Sequence, residues 1–162
     1  MKNYGNQWVK MKNKIILSAL ILASFGILIN ILGMIQIKSP HSNCIKLYVD
    51  FNILSERDPS TNCLNESNTI QATDLLIKEQ YAIIGTNKYP SQVVCRVDML
   101  PAPSQEPCSN MPSADRYWAI LIERNSKWDY AKAGIADIKL KPGEGLALVF
   151  TIKGKTRFPP NS

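Results

Sequence analysis

Histidine is nearly absent from this chain: there is one in 162 residues, His41. That scarcity removes most imidazole chemistry, both acid–base catalysis and the activation of a Ser or Cys nucleophile. No Cys-x-x-Cys pair, no Gly-x-Ser-x-Gly elbow and no glycine-rich phosphate loop occurs, so structural zinc sites, hydrolase elbows and nucleotide cradles have no signature. No catalytic residue, metal or cofactor is expected, and the chain is read as a non-enzyme. Pairs of carboxylates brought together only by folding are invisible to spacing. Glycine and proline, at 8 and 10, are too few for a collagenous or low-complexity segment.

Acidic residues are also scarce, with 13 Asp+Glu against 19 Lys+Arg, a formal charge of +6. A small basic protein invites a nucleic-acid reading, but the excess is local. Lys2, Lys10, Lys12 and Lys14 precede an uncharged run of 21 residues, Ile15 to Ile35, and the segment 38–162 carries only +2. Nucleic acid is therefore not an expected partner. The run is long enough to span a bilayer, which needs roughly 20 helical residues. It exceeds a secretory core of roughly 7–15 residues and leads into Gln36-Ile37-Lys38-Ser39-Pro40, without an Ala-x-Ala cleavage pattern. We read an uncleaved anchor over 15–37 in the lipid bilayer, with a cleaved signal peptide and secretion as the alternative. The positive-inside rule then places the flank 1–14 in the cytoplasm and the rest outside the cell. Ser18, Ser24, Gly26, Asn30 and Gly33 are either a helix–helix face or residues tolerated in a single span.

Cys44, Cys63, Cys95 and Cys108 all fall on the predicted outer side. An even count in an exported segment reads as two disulfides. Three connectivities are open; the local pairs Cys44–Cys63 and Cys95–Cys108 are preferred, though spacing alone does not decide. Asn65-Glu66-Ser67 matches a glycosylation sequon, a pattern too common to carry weight.

After a polar linker over 38–43, Ile45, Leu47, Val49, Phe51 and Ile53 alternate with period two, which predicts a strand with one buried face. Ala72, Leu75, Leu76 and Glu79 sit at helical spacing and predict a short helix around 72–81. Residues 91–100 read as a strand, and the four prolines between 101 and 112 exclude a central element there. A strong strand from Tyr117 to Arg124 is followed by a tight turn at Asn125-Ser126-Lys127. A Pro-Gly turn then joins the last two strands. The order predicts an α+β domain over 44–153, one short helix on a mixed or antiparallel sheet with a β-grasp as the natural candidate, followed by a flexible tail over 154–162.

Residues 93–150 carry a resemblance. Cys95-Arg96-Val97-Asp98, the prolines up to Cys108, Ala114-Asp115-Arg116-Tyr117-Trp118, Trp128-Asp129-Tyr130 and the closing strand resemble exported actinobacterial-type proteins. The second half also looks like the β-grasp domain at the C-terminus of transcobalamin-like proteins. Met99 stands where the pattern has glycine, and Ala119 where it has an aromatic. The resemblance implies a β-grasp fold, and a small vitamin-like molecule or a neighbouring transporter as partner.

Tyr117, Trp118, Trp128 and Tyr130 concentrate aromatics around one hairpin. Adjacent strand residues face opposite ways, so Tyr117 or Trp118 packs inside and the other faces out. Joined by Trp128 or Tyr130, the outward one makes an apolar patch for a ligand or partner; the alternative places both indoles in the core. Arg96 either holds an anionic ligand group or forms a cross-strand ion pair with Asp98 on the same face. Lys153, Lys155 and Arg157 either approach anionic lipids or belong to a solvated tail. The functional expectation is a membrane-anchored, extracytoplasmic binding module without catalysis, for a small molecule or a transporter. Its alternative is a structural accessory subunit docked into a larger membrane complex through its single transmembrane helix.

Overall fold

The computed structural model describes residues 43–160. The expected cytoplasmic flank, the span over 15–37 and nearly all of the linker lie outside the described residues. Among the described residues no helix is long and apolar enough to cross a membrane.

The first alternating run forms β1 (Cys44–Asp50), whose Ile45, Leu47 and Val49 are buried on one face. The period ends earlier than the sequence suggests: Phe51 is buried, but Asn52–Leu54 turns as a 3-10 helix and leaves Ile53 two-thirds exposed. Strand β2 (Ser60–Asn65) returns antiparallel to β1. After the two-residue β3 (Ile70–Gln71) comes α1 (Ala72–Lys78), the one α-helix among the described residues. It buries Ala72, Leu75 and Leu76, the stripe its spacing predicts. A small pair, β4 (Ile83–Gly85) and β5 (Val94–Val97), precedes the proline-rich loop. Strands β6 (Arg116–Arg124) and β7 (Lys127–Tyr130) form a hairpin, β8 (Lys139–Leu140) pairs with β3, and β9 (Gly145–Ile152) closes the fold. The described residues form a small α+β fold with one α-helix, a mixed sheet and two disulfides.

The main sheet has the order β2-β1-β9-β6-β7. Its centre is a parallel pair, β1 with β9, flanked by antiparallel partners on both sides. Parallel neighbours need a long crossover, and the helix lies within it. β9 is buried at every position from Gly145 to Thr151, as a central strand covered on both faces should be. On the helix side, Leu75 and Leu76 belong to one cluster with Ile45, Leu47, Leu146, Leu148, Phe150 and Trp118.

The opposite face holds a second, smaller cluster: Tyr48, Leu121, Trp128, Ala147 and Val149. Here Lys46 and Glu123 sit on either side of Gly145 in register. The glycine lacks a side chain, so Lys46 Nζ reaches Glu123 across β9, 3.1 Å from Oε1 and 2.9 Å from Oε2. A Cβ at Gly145 would stand 2.9 Å from the Trp128 ring, so the indole covers this pair only because nothing larger is there.

Residues 154–160, expected to fray, instead return along this second face. A tight turn is closed by the Lys155 N–H donating to Ile152 C=O (2.9 Å), with Gly154 at positive φ. The Thr151 and Thr156 hydroxyls lie 2.7 Å apart, Arg157 reaches Asp50 at 3.5 Å, and Phe158 meets the Tyr130 ring edge-on at 5.4 Å. Arg157 is thus engaged within the fold, whereas Lys153 and Lys155 are exposed.

The disulfides are Cys44–Cys63, across β1 and β2, and Cys95–Cys108, which ties the proline-rich loop to β5. Both are the local pairs preferred from the sequence. They close loops with sequence separations of 19 and 13, each worth about 3 kcal/mol in the chain-entropy picture. Replacing either pair by alanines should lower the unfolding free energy in urea by about that amount, and the two losses should add because the sites are independent. Tyr48 gives a second expectation. Burial, then the nearby Asp50 carboxylate, push its phenol above the usual value of 10.0, with Arg157 opposing. The folded state therefore holds the proton more tightly than the unfolded chain, and this contribution is full below pH 10 and lost as pH rises beyond it. Stability measured from pH 9 upward should fall less steeply for Tyr48→Phe than for the parent.

Candidate functional site

Strand β6 is nine residues long, but β7 pairs only with Leu121–Arg124. The hairpin turn, Asn125-Ser126, has φ of 52° and 59° at its two residues, the two-residue turn that suits right-twisted strands. From this turn the ladder runs back to the Ala131 N–H, which donates to Ile120 C=O at 2.9 Å, and stops. The chain then leaves the sheet edge and docks elsewhere: Ile135 N–H donates to Gln92 C=O and Ala136 N–H to Ser91 C=O, both at 3.1 Å. Gly134 makes this departure possible, since a Cβ there would sit 2.6 Å from the Gln92 Cα. Ile135 and Ile138 anchor the returning segment in the main core.

This detour leaves the outer edge of β6 from Arg116 to Ala119 without a hydrogen-bonded strand beside it. A cleft of about 480 Å³ occupies the space. One wall is β6 itself, from Tyr117 to Ile120; the facing walls are Gln92–Val94 and Met111–Ala114, and Tyr130, Ala131 and Ala133 close one end. Tyr117 and Ala119 point to one face of the sheet, Trp118 and Ile120 to the other. Residues from both faces line the same hollow, so it runs along the strand edge and is not a pit in one face. Most of its lining is apolar. Tyr130 and Ala133 also line a second hollow along β7, bordered by Arg124, Lys127, Lys132 and Lys139 and by Asp129 and Asp137. Lys127 pairs with Asp129 and Arg124 with Glu144, each at 3.2 Å. Lys132 and Lys139 are exposed and form no ion pair among the described residues.

The aromatic residues expected to form an exposed patch divide differently. Trp118 is 4% and Trp128 6% exposed, and both indoles are core. The Trp118 ring packs edge-on against Phe51 and Phe150, and its Nε1 donates to Leu100 C=O at 3.1 Å. Trp128 lies on the second face, away from the cleft lining. An indole patch therefore does not exist here. What faces the cleft is Tyr117, half-buried, and Tyr130, 47% exposed and braced by Phe158.

Arg96 also departs from expectation. It is buried at 7% exposure, donates from Nε to Pro101 C=O at 2.9 Å and from Nη2 to Glu106 C=O. Its guanidinium stitches the proline-rich loop to β5 and is not presented to an anion. The expected Arg96–Asp98 ion pair is absent too, because Asp98 meets Arg57 at 3.4 Å instead.

Two buried carboxylates, Asp50 and Glu123, were the acids that spacing could not place. They sit on the second face four register steps apart, roughly 13 Å along the strands, and each faces its own cation. Among the described residues the converging metal-type ligand atoms are those of Cys95, Glu106 and Cys108, but both sulfurs are in the disulfide. The cleft walls at 92–94, 111–114 and 131–133 were missed in the sequence. The one available signal was Met111, a large apolar residue in a polar proline-rich loop, and it is 61% exposed.

A structural role for Arg96 has a direct consequence. Arg96→Met leaves the buried carbonyl of Pro101 and the half-buried one of Glu106 without their donor, at roughly 1–3 kcal/mol. Urea unfolding should show that loss, with faster amide exchange in the loop up to Cys108. An unchanged stability would instead return Arg96 to the ligand-binding candidates. No family model matches this chain, and no curated protein matches it.

Proposed function

We propose that this chain is a membrane-anchored, extracytoplasmic binding module of the β-grasp type, without catalysis, whose ligand site is the cleft beside β6. The observation that carries this reading is the cleft itself: about 480 Å³, mostly apolar, with Tyr117 and Tyr130 as polar-tipped walls. Its volume falls within the range of ordinary ligand sites. The sheet order, with a parallel central pair and the only described helix within its crossover, supports the β-grasp assignment. Two formed disulfides support an oxidising compartment. The uncharged run behind a lysine-rich flank supports the anchor and its direction.

Function here is capture. The buried charges are internally paired, so the free energy of binding would come from apolar burial in the cleft, at roughly 25 cal/mol per Å². In detergent-solubilised full-length protein, an anilinonaphthalene sulfonate probe should bind at one site. Ala133→Trp, which fills the exposed end of the cleft, should weaken it about tenfold or more with unchanged unfolding behaviour. Equal binding to both proteins would remove the cleft from the proposal. Protease treatment of intact cells should in parallel release a disulfide-bonded fragment containing Cys44 to Cys108; full protection would overturn the topology.

A further inference from the structure

The edge of β6 narrows what the cleft accepts. In an antiparallel strand the N–H and C=O of one residue point to the same side, and that side alternates along the strand. Ile120 accepts from Ala131 on the β7 side, so Trp118, two residues earlier, directs its own N–H and C=O the same way. Tyr117 and Ala119 direct theirs to β9, with which they are in register. No backbone hydrogen bond reaches Trp118 from the cleft side among the described residues, while the Arg116 N–H is already taken by Ser113 C=O at 3.1 Å. The Trp118 side chain is held in the core by Phe51 and Phe150. Its contribution to the cleft is therefore a donor and acceptor pair at strand spacing, in the lane that β7 vacates after Ala131.

We infer that the occupant of this cleft is an extended peptide segment that adds a strand to β6 at Trp118. A strand in that lane would exchange two hydrogen bonds with Trp118, and its alternate side chains would meet the apolar walls at Val93 and Met111. The donor and the acceptor belong to one edge residue, and the alternating pattern of a peptide backbone matches them while continuing along the apolar walls. Charge fixes one end of the peptide. Where the cleft passes Tyr130 and Ala133 into the second hollow, Lys132 and Lys139 form no ion pair among the described residues, and of the two acids there Asp129 is paired with Lys127, which leaves Asp137 to offset them. The end of the peptide near Lys132 carries an acidic group.

This inference rests on the cleft being the ligand site, and the experiment separates the two. The probe is a random peptide library displayed on phage, selected on the solubilised full-length protein and eluted with anilinonaphthalene sulfonate. The expected result is a set of sequences with an apolar core and an acidic residue at one end, weakened by Lys132→Glu with Lys139→Glu. A selected peptide is then synthesised in two forms, N-methylated at alternate residues in opposite phase. One form should lose affinity about tenfold or more, the equivalent of about 1.4 kcal/mol, because its methyl groups replace the hydrogens that face β6. The other form should bind like the parent peptide. In nuclear magnetic resonance exchange measurements the Trp118 amide should gain protection on binding, with little change at Tyr117 and Ala119. Loss in both phases or in neither, no peptide eluted by the dye, or an unchanged Trp118 amide overturns the strand addition. If the dye still binds and Ala133→Trp still blocks it, the cleft reading survives that failure. Because the decisive change is made in the peptide, the test of strand addition itself does not depend on whether a protein variant folds.

Discussion

The parallel pairing of β1 with β9 is the constraint on which the rest of the structure hangs. Two parallel neighbours cannot be joined by a tight turn, so everything from Phe51 to Glu144 forms a crossover between them. The helix covers one face of the sheet because the crossover must pass over that face, and Leu75 and Leu76 make the passage favourable by burial. β9 arrives last and is enclosed on both faces and both edges, which its uninterrupted apolar run from Leu146 to Phe150 permits. The β6–β7 hairpin is then fixed as the outer flank, through the antiparallel register of β6 against β9.

The same constraint creates the cleft. After β7 the chain must return to the core to supply Ile135, Ile138 and Leu140 to the helix side. It cannot both extend β7 along all of β6 and reach Gln92, so the ladder stops at Ala131 and Gly134 lets the backbone approach Gln92 closely. An open strand edge is ordinarily an aggregation hazard. Here the edge is flanked by the walls at 92–94 and 111–114, which shield it from pairing with another sheet. The Cys95–Cys108 bond and the Arg96 guanidinium hold the proline-rich loop in shape beside β5. The cysteines and the arginine thus act on the site indirectly.

Much of the fold was legible because its signals are local. The alternation in β1, the stripe of α1, the Asn125-Ser126 turn and the run of β9 each report their own backbone state without reference to distant residues. The local disulfides followed the same logic. The site was less legible, for two physical reasons. Whether a strand residue is buried depends on what covers its face. Trp128 is buried because it packs with Tyr48, Leu121, Ala147 and Val149 over Gly145, residues that sequence spacing does not bring together. A strand's alternation likewise shows where Arg96 points but not that carbonyls of Pro101 and Glu106 come back to meet it. The cleft joins three segments separated by long stretches of sequence, and no periodicity records such a meeting. Tyr117 and Tyr130 were found because hairpin partners are sequence neighbours, and the small residues Ala131 and Ala133 carried no signal.

The C-terminal segment connects the two faces of the sheet to the site. Tyr130 is the residue shared by the cleft, the neighbouring basic hollow and the aromatic pair with Phe158. An exposed tyrosine alone would lose rotamer freedom on binding, at roughly 0.5–1.5 kcal/mol for an immobilised interface side chain. Phe158 restricts that ring in advance, and Phe158 is itself placed by Arg157 on Asp50 and by the Thr151–Thr156 contact. Charge and packing on the side of the sheet away from the helix therefore set the shape of the cleft at its edge. The basic residues near the terminus divide accordingly: Arg157 serves the fold, and Lys153 and Lys155 are left to solvent. The open edge of β6 and the ordered tail are thus parts of one arrangement, in which a rigid wall stands ready beside unpaired backbone.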